Sequence, residues 1–322
     1  SGVGLGGTLR IATAMPAGPS AQLFTGSLGL QLFGGNTVNT LLSNTSNTYS
    51  GGTIFGNGSG STSTRILLGA GTLGAGAPGA VTSGLFGTGP ITIGAAATDK
   101  SQLYLSGAIT INNAIVVNTE AGTDITGTFR VEAGGSILAG TINANLADAR
   151  FHSFGSGSIF VPGAISGASG LKLSTTYGSL GVTLNNTGTP NSYAGNTAIE
   201  TAASTLTLGA ANQIPNGIGK GNLIVTAGTF KLGGFSETIN GLSGTGIVDG
   251  TSGTPTLTVG DNDATGLDNT FDGVIKNTVG TLALTKTGSG TLTLSNTNTY
   301  GGATLISGGT LLVNGNQSTA TG

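Results

Sequence analysis

Few side chains in this sequence can do chemistry, and its single histidine is the first to consider. His152 lies between Phe151 and Phe154, and the chain has no cysteine. A catalytic triad or a zinc site needs further histidine, thiol or carboxylate partners. With one histidine and no thiol, metal binding would depend on carboxylates. The sequence favours a structural or loop role for His152.

The densest group of carboxylates is the run that contains Asp261, Asp263, Asp268 and Asp272. Calcium binds several oxygen ligands, and an Asp-x-Asp spacing in an acidic loop is a reasonable start for such a site. The run lacks the glutamate of an EF-hand and the glycine-rich nonapeptides of calcium-binding β-rolls. Solvated turn residues are therefore the favoured interpretation, calcium ligation is the alternative, and we predict no cofactor.

Glycan cleavage is the enzymatic alternative, because hydrolysis needs two positioned carboxylates and elimination needs a strong base. The 12 acidic residues are scattered, and aromatic residues make up only 5% of the chain, which disfavours a stacked sugar-binding platform. We predict that the chain is not an enzyme. The arginines show no repeated register; they are Arg10, Arg65, Arg130 and Arg150.

Composition narrows the class of protein further. Only 7% of the 322 residues are charged, the net charge is −2 and no Lys/Arg cluster occurs, which argues against nucleic acid as a partner. No apolar run is long enough for a transmembrane helix. The chain has 62 glycines, yet 37% of its residues are hydrophobic, so it can bury a core.

The elements that position these residues read as short β-strands. Glycine recurs every few positions, which disfavours helices. Apolar residues alternate with threonine, the period of a half-buried strand. One glycine-free stretch, Ala144 to Phe154, is predicted to form a short helix or a protruding loop, within 144–160. The clearest alternating segments are Thr205–Leu208, Thr256–Val259, Thr281–Leu284 and Thr291–Leu294.

Internal repeats decide the fold class. Three similar segments carry a tyrosine at an equivalent position, namely Tyr49, Tyr193 and Tyr300. Their unequal spacing argues against a propeller and favours a solenoid, in which each coil only has to match its neighbours. We predict an all-β fold, a β-solenoid (parallel β-helix) forming an elongated rod with roughly twenty residues per coil. The three tyrosines are expected at coil corners, in an outward row.

A known family resembles the second half of the chain. Residues 284–313, LTKTGSGTLTLSNTNTYGGATLISGGTLLV, resemble the autotransporter-associated β-strand repeat most closely. The match begins near Leu184, which divides the chain into N-terminal coils or an assembly segment (1–41), a degenerate repeat cassette (42–183) and well-matched cassettes (184–322). The resemblance implies a large secreted bacterial passenger, β-helical and without catalysis, that is extracellular or on the bacterial cell surface.

The expected function is structural. The chain opens with Gly6-GTLRI and closes its last cassette with Gly308-GTLLV, so both ends are expected to present a similar coil. Unpaired strand edges template association. We predict self-association, end to end, into a fibre or surface filament. The alternative is an adhesin or passenger stalk that attaches to a cell surface or glycan, with 144–160 as its contact loop.

Overall fold

The fold is that of a computed structural model, and the residues it describes are 3–4, 8–12, 24–33, 38–39, 45–56, 63–68, 71–120, 127–260 and 268–317. These residues form strands and turns, and none of them forms a helix. The same residues therefore offer no helix long and apolar enough to cross a membrane. The all-β prediction is confirmed.

The chain divides into two compact units, the first made of residues 1–169 with 176–178 and the second of residues 170–175 with 179–322. Strands of the first unit are β1 (Val3–Gly4), β2 (Thr8–Ala12), β3 (Phe24–Thr25), β4 (Gly29–Phe33), β5 (Val38–Asn39), β6 (Thr53–Phe55), β7 (Ser63–Leu68), β8 (Gly71–Thr72), β9 (Gly74–Ala77), β10 (Ala80–Gly84), β11 (Ile91–Ile93), β12 (Lys100–Leu105), β13 (Ile109–Ile111), β14 (Ile115–Val117), β15 (Phe129–Val131), β16 (Ser136–Leu138), β17 (Ile142–Ala144), β18 (Ala149–Ser153), β19 (Ser156–Val161) and β20 (Ile165–Ser166).

Strands of the second unit are equally short. They are β21 (Leu171–Thr175), β22 (Ser179–Leu184), β23 (Thr197–Ile199), β24 (Ser204–Leu208), β25 (Leu223–Val225), β26 (Thr229–Lys231), β27 (Glu237–Ile239), β28 (Leu242–Gly244), β29 (Ile247–Gly250), β30 (Thr256–Val259), β31 (Asn269–Phe271), β32 (Val274–Asn277), β33 (Ala283–Lys286), β34 (Thr291–Leu294), β35 (Thr304–Ile306) and β36 (Thr310–Val313).

Each unit is a stack of coils, and most of its strands fall on three parallel sheets; β1 and β3 of the first unit form a separate parallel pair. In the first unit the strand orders are β2-β4-β6-β11-β14-β17-β20, β5-β7-β12-β15-β18 and β8-β13-β16-β19. In the second unit they are β21-β23-β25-β28-β31-β34-β36, β22-β24-β26-β29-β32 and β27-β30-β33-β35. The chain contributes a strand to each sheet in turn and then returns to the first sheet, where its next strand pairs with the previous one. This is the predicted β-solenoid.

Alternation of threonine with aliphatic residues explains why each coil buries one face. In β24, Leu206 and Leu208 point inward and are buried, whereas Thr205 and Thr207 are partly exposed. Leu206 stands in register with Phe230 of the next coil, and both side chains are buried. Successive coils therefore stack apolar on apolar, at the spacing of about 4.8 Å between neighbouring strands. The period-two prediction is confirmed here.

Coils differ in length, and most are longer than the predicted twenty residues. Ile247 stands in register with Thr229, 18 residues earlier, whereas Ile91 stands in register with Thr53, 38 residues earlier. The long coil contains an antiparallel hairpin of β9 and β10, the one antiparallel pair among the described strands. Insertions therefore leave the stacking register intact, as expected for a solenoid.

The helix or protruding loop predicted within 144–160 is wrong. These residues end β17, form β18 and supply most of β19. In β18, Ala149 and Phe151 are buried and Arg150 between them is partly exposed, which is the period of a strand. The absence of glycine permits a helix but does not require one. Here β15 of the preceding coil offers a strand edge, and β18 pairs with it.

Candidate functional site

The three equivalent tyrosines are buried and not, as predicted, an outward row. Each hydroxyl lies within hydrogen-bond distance of the threonine four residues later: Tyr49 with Thr53 at 2.6 Å and Tyr193 with Thr197 at 2.6 Å. Thr53 in turn donates to the carbonyl of Phe86, so Tyr49 is the donor of its pair. Burial raises the pKa of the Tyr49 and Tyr193 hydroxyls, which therefore stay protonated.

The third tyrosine repeats the pairing at the last corner. The Tyr300 hydroxyl lies 2.9 Å from the Thr304 hydroxyl, and Thr304 is partly exposed. Sequence analysis aligned the tyrosines correctly and gave them a structural role, but it expected their rings on the surface. An inward phenol needs a polar partner, and the threonine at a fixed spacing provides one. That spacing is the signal that could have placed the rings inside.

An asparagine two residues before each tyrosine ties neighbouring coils together. The Asn47 side chain accepts the backbone N–H of Phe24 at 2.9 Å and donates to the carbonyl of Leu85 at 3.3 Å. The Asn298 side chain accepts the N–H of Ile275 at 2.7 Å. Buried amides thus satisfy backbone N–H groups of β3 and β32, each of which is the last strand of its sheet.

A glycine follows each tyrosine by two residues, and at Gly51 and Gly302 it lets neighbouring coils approach closely. A Cβ on Gly51 would lie 2.5 Å from the backbone nitrogen of Gly29, and one on Gly302 would lie 2.5 Å from the carbonyl oxygen of Leu282. Backbone atoms cannot retreat as a flexible side chain can, so only glycine fits. The three corners therefore share the pattern Asn-x-Tyr-x-Gly-x-Thr, which we call the corner motif.

A buried polar cluster extends the corner that contains Tyr193. The Gln213 side chain accepts the N–H of Asn186 at 2.8 Å, and Asn191 donates to the carbonyl of Gln213 at 2.7 Å. Glu237, at 1% exposure, accepts the N–H of Gln213 at 2.8 Å and that of Ile214 at 3.1 Å. Sequence analysis singled out none of these residues, because their partners lie more than twenty positions away.

The acidic run forms no cluster in the part of the chain that the structure describes. Asp261 and Asp263 lie outside the described residues. The Asp268 carboxylate accepts the N–H of Thr291 at 2.8 Å, and the backbone N–H of Asp272 donates to the carbonyl of Gly244 at 2.9 Å. No group of three histidine, aspartate or glutamate side chains among the described residues is placed to hold a metal ion.

The outer face of the first unit carries a stack of planar side chains, which we call the arginine ladder. The guanidinium of Arg130 lies 4.5 Å from the ring centre of Tyr104 on one side and 4.4 Å from that of Phe154 on the other. Tyr104 and Arg130 are register partners on adjacent strands. Glu132 pairs with the same guanidinium and also accepts the N–H of Phe154 at 3.3 Å.

Tyr177 extends the ladder, and its side chain is 70% exposed, with its ring centre 6.5 Å from that of Phe154. His152 lies under Phe154 at 4.8 Å between ring centres, and its Nε2 is 3.0 Å from the hydroxyl of Thr176. Burial, followed by the charges of Arg150 and Arg130, lowers the pKa of His152 to about 4. His152 is thus neutral and buried beneath the arginine ladder.

Comparison with known protein families matches one of the corners described above. The family model of the passenger-associated-transport-repeat matches residues 284–313, which span most of β33, all of β34, β35 and β36, and the corner at Tyr300. Residues 284–313 are thus similar to a passenger-associated-transport-repeat. The resemblance stated from the sequence is confirmed for that stretch. No curated protein and no solved structure gives a significant match.

Within the passenger-associated-transport-repeat, the corner motif and a buried lysine hold two coils together. Lys286 is 2% exposed, and its ammonium donates to the carbonyl of Gly288 at 3.1 Å and to that of Gly308 at 3.4 Å. The final strands of the repeat leave apolar side chains 42–57% exposed; these are Leu305, Ile306, Leu312 and Val313. The family is one of autotransporter passengers, which implies a secreted or surface-exposed protein.

Proposed function

We propose that the chain is the structural stalk of a secreted, autotransporter-like passenger, in which stacked coils serve as an extracellular scaffold. The observation that carries this proposal is the passenger-associated-transport-repeat at 284–313, folded as coils of a β-solenoid. Family membership of this stretch supports export, and strand ladders across every coil support a load-bearing role.

The corners support a structural rather than a catalytic role. The Tyr193 hydroxyl bonds to the Thr197 side chain, whereas Gln213 and Glu237 bond to backbone groups of the preceding coils. A catalytic carboxylate or hydroxyl instead has to reach a substrate. Here the polar groups stabilise the stack.

The test is to place the chain as the passenger ahead of an outer-membrane autotransporter barrel, with an epitope at its N-terminus. We expect the epitope on intact cells and slow cleavage by an added protease. A matched variant, Leu206→Asp, places a charge in the core and should make the passenger protease-sensitive. Retention of the wild-type epitope inside the cell would contradict the proposal.

End-to-end assembly is a second candidate, favoured by the exposed apolar side chains of β35 and β36. A further coil of the same pattern, supplied by a second copy, would cover Leu312 and Val313. Electron microscopy and sedimentation of the purified chain at increasing concentration test this candidate. We expect filaments that the double variant Leu312→Thr, Val313→Thr shortens, and monomers at every concentration would refute it.

A further inference from the structure

One position at the coil corner recurs along the stack with different side chains. At this position the Asn47 side chain accepts the backbone N–H of Phe24, and the Gln213 side chain accepts the backbone N–H of Asn186. The Glu237 side chain accepts the backbone N–H of Gln213. Asn298 does the same for Ile275. In every case the acceptor lies one coil after the donor. Of these four corner acceptors, Glu237 is the one that can ionise.

The surroundings of Glu237 offer its charge little compensation. Its strand, β27, pairs with β30, whose residues carry no ionisable group, and residues 209–216, which supply the two N–H donors, carry none either. The titratable group that faces Glu237 is Tyr193, and the carboxylate helps to raise the pKa of that phenol. A protonated Glu237 keeps one carbonyl oxygen as a neutral acceptor, as each of the three amides does, whereas an ionised Glu237 accepts both N–H groups but is a buried anion.

Burial raises the pKa of Glu237 to about 7, although the N–H groups of Gln213 and Ile214 act in the opposite direction. An unfolded glutamate titrates at about 4.3. Between these two values the folded chain binds one more proton than the unfolded chain. The stability contributed by Glu237 is therefore fully present below the unfolded pKa and is lost as the pH rises through about 7.

We propose that Glu237 is a protonation switch in the second unit: its neutral carboxyl holds the coils at Gln213 and β27 together, and release of its proton to solvent loosens them. The coils concerned are tightest in mildly acidic surroundings and open more often above neutral pH. The protonation switch does not depend on the proposed stalk function, so an experiment can refute either proposal without refuting the other.

The test is hydrogen exchange of the full chain between pH 5 and pH 8, corrected for intrinsic exchange and resolved for residues 209–216. We expect local opening to increase about 10²-fold across this range in the wild type. Glu237→Gln should make it independent of pH. The matched control Asp249→Asn, which changes a buried carboxylate in β29, should leave the increase in place.

Two further measurements keep the proposal falsifiable if Glu237→Gln fails to fold. The chain has four glutamates, Glu120, Glu132, Glu200 and Glu237, so ¹³C-glutamate labelling should give four carboxyl signals that can be titrated separately. The Glu237 carboxyl should titrate near pH 7, and Asn298→Asp should give residues 274–277 a pH dependence of the same sign. An ordinary glutamate titration for Glu237, or an unchanged pH dependence in Glu237→Gln, would overturn the proposal.

Discussion

The hydrogen bond between Tyr193 and Thr197 should be measurable as a coupling energy. Both side chains are about 1% exposed, and their oxygens are 2.6 Å apart. Thr197→Val leaves a buried phenol without its partner, which costs about 1–3 kcal/mol, and Tyr193→Phe costs about 1 kcal/mol. The double variant replaces both partners with apolar groups of similar shape, so it should cost little more than one single variant. The coupling is then about 1 kcal/mol or more.

The assay is native-state hydrogen exchange of residues 190–199, because stacked coils open locally as well as globally. A coupling of about 1.4 kcal/mol corresponds to roughly a tenfold change in local opening. The pair Tyr300 and Thr304 is the matched control: it is 2.9 Å apart, and Thr304 is partly exposed, so water can replace the lost partner. Its coupling should be smaller. Additive single variants at Tyr193 and Thr197 would refute the assignment.

Three further predictions address the other features of the stack. Gly302→Ala should destabilise the chain by about 1–3 kcal/mol in urea unfolding because its Cβ meets backbone, whereas Gly188→Ala, with its nearest neighbour at 3.7 Å, should be close to neutral. The first unit should lose stability as the pH falls from about 6.5 to about 4, because the pKa of His152 is lowered to about 4 in the folded chain and the unfolded chain takes up the proton first. His152→Gln should remove this pH dependence in hydrogen exchange measured between about pH 4 and about pH 6.5. Tyr177→Ala should leave the free energy of unfolding unchanged because that side chain is 70% exposed, whereas Arg130→Lys should cost about 1 kcal/mol, since lysine cannot stack between the rings of Tyr104 and Phe154. Equal effects of the two variants on stability would contradict this prediction.

Sequence analysis predicted the parts of the fold that depend on local pattern. Alternation of threonine and leucine fixes which side chains face the core, as in β24 and β34. Three equivalent tyrosines at unequal spacing argued against a propeller and favoured a solenoid, whose coils here range from 18 to 38 residues. These features follow from side-chain period and from the tolerance of a solenoid for insertions.

Features that depend on the register between coils could not be predicted. Glu237 meets Gln213 and Arg130 meets Tyr104 only because the intervening coils have particular lengths. The same uncertainty explains the error at 144–160, where pairing with β15 turned a glycine-free segment into a strand. The tyrosine rings were placed outside because the buried threonine partner was not recognised.

The central claim is that neighbouring coils stack in parallel and in one register, and a pair of engineered cysteines tests it most directly. The natural chain has no cysteine, so any disulfide reports the introduced pair alone. Thr205 lies opposite Thr229, and Thr207 lies opposite Lys231, with all four side chains partly exposed. Strands about 4.8 Å apart bring opposing cysteines within disulfide reach. The parallel register predicts rapid oxidation of Thr205→Cys with Thr229→Cys and slow oxidation of Thr205→Cys with Lys231→Cys; the reverse order, which an antiparallel pairing would give, would contradict the fold.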